Sequence, residues 1–169
     1  MTQAVLQTKV TEMPIALGID NDRRAELADG LKTTLTAHYR LMFETQILHW
    51  NVAGPLFYSI HNLTESQYTK AFEAIDSIAE RIRALGMPAP RDANELLGDM
   101  VLYDFKADAL DKQLANLIRS NERLVRNMRD LTKLAESASD IRTADLLTDR
   151  IGELEEAIWM LRATTTDNA

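Results

Sequence analysis

The sequence predicts an all-α chain folded as a bundle of four long helices, with a short extra helix in the connection between the second and third. Three observations carry that expectation. Ala, Leu, Glu, Arg and Asp are plentiful while Gly (6) and Pro (4) are few, a composition that favours helix throughout. Apolar residues recur at helical spacing over four segments of roughly 25 to 30 residues. Between those segments lie two short breaks and one long one, so the long connection crosses the bundle once.

Taken in order, residues 1–18 lack periodicity and contain one lysine, Lys9; they are expected to be a mobile or loosely docked arm. The bundle proper is expected over 19–165. The first helix should start near Asn21-Asp22 and run to Trp50-Asn51, with Leu27, Leu31, Leu35, Leu41, Met42 and Ile47 on its apolar side and Gly54-Pro55 beyond its end. The second should run from Phe57 to Leu85, closed by Gly86 and then Pro88 and Pro90. The linker GMPAPRDANELLGDM has room for a short helix from Arg91 to Leu97. The third long helix is expected from Ala107 to Glu136. The fourth, capped by Asp140, is expected to reach Arg162, leaving 166–169 as a short polar tail.

The bulk properties exclude several function classes. With no cysteine there is no disulfide framework and no thiolate metal site. The amino terminus lacks the apolar run of a signal peptide and no segment is long enough to span a membrane, so a cytoplasmic location is expected. A formal net charge of −7 argues against a surface built to neutralise phosphates, whereas an acidic surface attracts cations.

On the helical wheel of the second helix, Ile60, Ala71, Ile75, Ile78 and Ile82 form the bundle-facing stripe. Asn62, Ser66, Lys70, Glu73, Ser77 and Arg81 are expected to face water. A third arc holds His61, Glu65, Asp76 and Glu80, with Tyr68 and Phe72 between them. His61 and Glu65 are an i,i+4 pair, as are Asp76 and Glu80, so either pair can reach one ion. The two pairs stand about 16 Å apart along the helix, too far to share it. A second, antiparallel copy of the helix closes the gap. Positions 61 and 80, and likewise 65 and 76, are equidistant from a point between residues 70 and 71. A two-fold axis there brings His61 near the partner's Glu80 and Glu65 near the partner's Asp76, making two identical sites per pair of chains.

His49 lies in the last turn of the first helix and His61 in the first turn of the second, so an antiparallel hairpin brings both imidazoles to one end of the bundle. Two imidazoles with two or three carboxylates form a nitrogen–oxygen set suited to Fe(II), Zn(II) or Mn(II). Taken singly, each i,i+4 pair reads as solvated helix surface, His49 as an interface histidine, and Tyr68 and Phe72 as packing residues; joint symmetry and turn placement raise the metal reading above these. His38 reads as structural, and the seven methionines as core packing.

The pattern His49-Trp50-Asn51, Gly54, Phe57, His61, Glu65, Asp76, Ala79-Glu80-Arg81, together with AIWMLRA at 157–163, resembles the Dps family of mini-ferritins over nearly the whole chain. The resemblance implies a ferritin-like subunit of a hollow homododecamer, built through two-fold and three-fold interfaces, that acts as a ferroxidase. Its di-iron centre would use His49, His61 and Glu65 of one chain with Asp76 and Glu80 of another. Glu65 stands where aspartate is frequent, so ligand reach there is in doubt. Trp50 matches a tryptophan beside the centre that accepts an oxidising equivalent; packing at the helix end is the plainer reading. Fe(II) would be oxidised by hydrogen peroxide and stored as Fe(III) mineral, with zinc or manganese as other occupants of the site. Asp140, Asp145 and Asp149 are the candidates for an acidic three-fold pore, with solvated helix surface as the alternative.

DNA binding in this family often depends on a basic tail. Here only Lys9, Arg23 and Arg24 are available near the amino terminus and no base follows Arg162, so weak or absent DNA binding is expected. Two rivals to the ferroxidase remain open at this point: a nucleoid-associated DNA-binding protein with secondary iron activity, and a non-catalytic helical assembly protein. No E-x-x-H pair occurs in the chain, which disfavours a di-iron centre contained within one subunit.

Overall fold

Helices form where the apolar periodicity runs unbroken. The computed structural model describes residues 11–165, in which α1 (Asn21–Asn51), α2 (Phe57–Ala84), α3 (Ala93–Leu97), α4 (Leu110–Ser137) and α5 (Ile141–Thr165) follow one another, with a 3-10 turn at Phe105–Ala107 before α4. The first two long helices begin and end within a residue of expectation. The third starts three residues later, behind the 3-10 turn, and the fourth runs three residues further, to Thr165.

Side-chain contacts set the directions. Gly30 lies against Leu131, and the Ser120 hydroxyl donates to Glu44 at 2.8 Å, so α1 and α4 are antiparallel. Lys70 reaches Glu156, and Arg81 reaches Asp140, so α2 and α5 are antiparallel as well. The α2–α4 connection therefore leaves beside the start of α1 and arrives near its end, the single crossover of a ferritin-like bundle. The interior is a continuous apolar cluster to which every long helix contributes, among them Leu27, Leu31, Ile60, Ile78, Ile82, Leu117, Met128 and Leu147. The stripe expected on α2 is buried as read. No helix among the described residues is long and apolar enough to cross a membrane.

The crossover is held by polar side chains. Asp92 caps α3 by accepting the Asn94 and Glu95 amides, each at 2.9 Å, and the Thr36 hydroxyl donates to the Leu96 carbonyl at 2.6 Å. Glu44, fully buried, accepts from Arg40 Nε (3.0 Å), the Tyr103 amide (3.3 Å) and the Ser120 hydroxyl. A buried carboxylate is tolerated because each of these donors compensates its lost hydration. Of the expected arm, residues 1–10 lie outside the described part. Further on, the Met13 amide donates to the Gly86 carbonyl at 2.8 Å. Gly86 has φ +85°, and a Cβ there would lie 2.8 Å from the Met13 carbonyl oxygen, so only glycine fits this turn. Arg24 is buried, donating to the Leu85 carbonyl and to Asn21.

Two expectations are corrected at the far end of α2. The wheel of α2 puts Arg81 in water, but α5 packs over that edge, and its side chain is 12% exposed with Nη2 2.8 Å from each Asp140 oxygen and Nε donating to Thr143. The sequence offers Asp140 both as a cap and as a pore residue. It is the cap: it accepts the Thr143 amide at 3.0 Å and the Thr143 hydroxyl at 2.5 Å. At 2% exposure, with both oxygens engaged, it is not a pore-lining group. Burial pushes its carboxyl up, but the Thr143 hydroxyl and amide and the Arg81 guanidinium outweigh that and hold it below the usual aspartate range. Asp145 and Asp149 remain on the surface, Asp145 paired with Arg142.

His38 is 1% exposed in the bundle interior, its Nδ1 donating to the Thr34 carbonyl at 2.9 Å. Burial lowers its pKa to about 4, against the opposing hydrogen bond to Thr34 and with a smaller lowering from Arg150. The folded state therefore binds fewer protons than the unfolded state between pH 4 and 6.5. Stability is expected to fall as pH drops through that window, by up to ~3 kcal/mol at its lower end. Denaturation midpoints from pH 7 to 4 check this: a His38→Gln variant should show a shallower slope than the parent, and equal slopes would refute it.

Candidate metal centre

The α1–α2 hairpin makes the site. The Val52 amide closes α1 on the Leu48 carbonyl, Gly54 turns the chain with φ +88°, and the Phe57 amide donates to Gly54. Five residues thus separate the two helices, and His49 and His61 face each other across the gap. Their rings stack with centroids 3.8 Å apart and 17° between planes. His49 Nδ1 lies 2.9 Å from the His61 carbonyl and His61 Nδ1 lies 3.1 Å from the His49 carbonyl. A carbonyl only accepts, so each Nδ1 carries a proton, which leaves Nε2 as the nitrogen of each ring that a metal takes. The bond from His61 also satisfies one of the last-turn carbonyls that α1 leaves without a helical partner.

Three further residues brace the pair, and sequence reasoning assigned none of them that role. The Phe57 ring stacks on His61 at 4.9 Å, Tyr68 meets His49 edge-on at 5.1 Å, and the buried Thr64 hydroxyl lies 3.3 Å from His49 Nδ1 while donating to the Ile60 carbonyl. Phe57 stands four residues before His61 and Thr64 three after, the helical spacings at which side chains meet; that was the available signal. His49 is 7% exposed, so imidazole orientation is set by packing as well as hydrogen bonds. Trp50 lies beside it with 67% of its surface open.

The carboxylates stand elsewhere. Glu65, Asp76 and Glu80 are exposed on α2, on one stripe with Tyr58, Asn62, Thr69 and Phe72, and Phe72 is 62% exposed. Among the described residues no three His, Cys, Asp or Glu side chains of the single chain group to hold a metal. The two imidazoles meet each other; the carboxylates do not join them within one chain. Of the two aromatics within that arc of α2, Phe72 lies on the open stripe, while Tyr68 is partly buried against His49.

A ferritin-like domain matches residues 28–168. An uncharacterised low temperature-induced protein of Nostoc is 37% identical over 155 residues, covering 88% of this chain and 85% of the relative. The crystal structure of an archaeal Dps homologue from Halobacterium salinarum superposes with a TM-score of 0.85 at 28% identity, covering 94% of this chain and 89% of that one. The chain belongs to the Dps family of ferritin-like proteins. A second Dps structure, from Vibrio cholerae, is described as a member of a broad superfamily of ferritin-like diiron-carboxylate proteins; it matches with a TM-score of 0.81 at 26% identity, over 95% of this chain and 99% of that one. In this Dps chain the hairpin that carries the histidine pair lies wholly inside the matched domain.

Proposed function

We propose that this Dps chain is a mini-ferritin that binds and oxidises Fe(II), with hydrogen peroxide as the preferred acceptor, and stores Fe(III) mineral inside a homododecamer. The observation that carries the reading is the reciprocal clasp of His49 and His61, which leaves Nε2 of each ring for a metal, on a chain whose exposed α2 stripe carries Glu65, Asp76 and Glu80. Imidazole and carboxylate together suit Fe(II), and zinc or manganese compete for the same set. A two-fold related copy would add Asp76 and Glu80 to His49, His61 and Glu65. Fe(II) is the electron donor: two ions give two electrons to one peroxide, which takes up two protons and leaves as two waters. Two electrons supplied together avoid release of hydroxyl radical. The chain's own part is to hold the imidazoles in one tautomer and to keep negative charge where the cations arrive. Trp50 stands beside the pair as an accepting group for a stray oxidising equivalent. Asp145 and Asp149 are the remaining acidic candidates for an entry pore.

Anaerobic Fe(II) loading followed by peroxide tests this, with iron oxidation and radical yield followed together. A His61→Ala, Asp76→Ala double variant should oxidise iron at least tenfold more slowly than the parent. Equal rates in the two proteins would remove the proposed centre.

Direct DNA binding is proposed to be weak or absent, leaving association with the nucleoid a secondary property. Arg24 is buried and Arg23 pairs with Glu26 at 2.8 Å, so neither is an uncommitted cation for phosphate. A charge of −7 per chain becomes about −84 over twelve, which repels a polyanion at ordinary salt. A low-salt gel shift showing a stable, salt-sensitive complex would overturn this.

A further inference from the structure

Between α2 and α5 the bundle opens into a cavity of about 170 Å³, to which all four long helices contribute: His38 from α1, Gln67 and Lys70 from α2, Asn121 from α4, Arg150 and Glu153 from α5. It is a polar pocket that reaches the surface beside Lys70 and Glu156, whose side chains are about half-exposed. The charged groups on its wall are already matched, Arg150 with Glu153 at 3.0 Å and Lys70 with Glu156 at 2.7 Å. Other polar atoms of the wall are not. Both amide atoms of Gln67, oxygen and nitrogen, are buried without a hydrogen-bond partner in the chain, and so is Nε of Arg150. His38 gives its Nδ1 proton to the Thr34 carbonyl, so its Nε2 accepts. Asn121 gives its amide nitrogen to the Leu117 carbonyl.

Buried polar groups are ordinarily met by water or a ligand in an adjoining space. The unmatched set contains donors, Gln67 Nε2 and Arg150 Nε, and an acceptor, Gln67 Oε1. A partner must therefore both donate and accept. It must be uncharged, because the wall's charges cancel in pairs and a lone ion would be stripped of water without a counter-charge. The volume is enough for a molecule of a few heavy atoms. We propose that this cavity is a binding site for a small uncharged molecule bearing a carboxamide or urea group, held against Gln67 and Arg150. The site lies inside one chain, on residues other than those of the candidate metal centre.

Saturation-transfer NMR on the assembled protein, with acetamide as the probe and tert-butanol as an apolar control of similar size, tests the proposal. The parent should show acetamide signal at least fivefold above the control, and Gln67→Leu should lose it. Ala157→Leu fills the lining without removing a polar group, and it should lose the signal too, which keeps the test decisive if Gln67→Leu fails to assemble. A crystal soaked in acetamide should show the probe beside Gln67. Density for ordered water alone, a signal equal to the control, or a signal that survives Ala157→Leu would each overturn the assignment.

Discussion

Co-assembly of His61→Ala chains with Asp76→Ala chains is expected to restore about a quarter of the parental iron-oxidising rate, although each variant alone should be at least about tenfold slower than the parent. The expectation rests on the proposed division of the centre, with His49, His61 and Glu65 from one chain and Asp76 and Glu80 from its two-fold mate. In a mixed pair, one of the two sites receives both lesions and the other receives neither. Random mixing in equal amounts makes about half of the pairs mixed, each with one intact site of two. Mixing His61→Ala with His49→Ala chains is the control: both lesions fall in the histidine half, so no intact site can form. Rates are measured after joint unfolding and reassembly. Recovery in the control, or none in the test mixture, would sink the shared-site reading, and either outcome is separable from misfolding by the size of the assembly.

Asp140→Ala should destabilise the chain by about 3–5 kcal/mol, the cost of leaving a poorly exposed cation without its counter-charge. The side chain closes three contacts at once. It caps α5 through the Thr143 amide, orders the Thr143 hydroxyl, and pairs with an Arg81 side chain that is 12% exposed. Asp140→Asn retains the cap acceptor and removes the charge, so it should cost less, about 1–2 kcal/mol. Replacing both partners, Arg81→Met with Asp140→Asn, should recover part of the loss, because no buried charge is then left alone. The contribution has a defined pH window: with the folded carboxyl held below its ordinary range, it is complete above about pH 4 and is lost as pH falls through the lowered value. Urea denaturation of the variants checks the ranking, and an Asp140→Ala midpoint equal to the parent's would refute it.

The histidine pair shows how far the residues alone carry. Two histidines at the ends of one short interhelical break must converge once both flanking segments are helical and antiparallel, so the meeting of His49 and His61 followed from spacing. Their stacking, the reciprocal Nδ1–carbonyl bonds and the bracing by Phe57, Tyr68 and Thr64 did not. Those depend on ångström-scale placement of two helices, which periodicity does not encode. Arg81 makes the complementary point. The wheel of α2 placed it opposite the bundle-facing stripe, and so in water, but a wheel knows one helix and not its neighbours. The first turn of α5 covers that edge, which turns an apparent surface arginine into half of a buried clamp and takes Asp140 off the surface with it.

Local chain physics, readable residue by residue, determined four long helices, one crossover, the apolar stripe of α2 and the convergence of two imidazoles. All of these follow from the 3.6-residue repeat, helix-breaking residues and loop length. The tertiary structure decided which polar side chains are taken out of water: Glu44 bracing the crossover, His38 and Gln67 around the polar pocket, Arg24 against the Leu85 carbonyl, Arg81 with Asp140. The reason is physical. Burial of a polar group is set by what another helix brings against it, a long-range property of the packed chain, whereas the repeat that makes a helix is written within the helix itself.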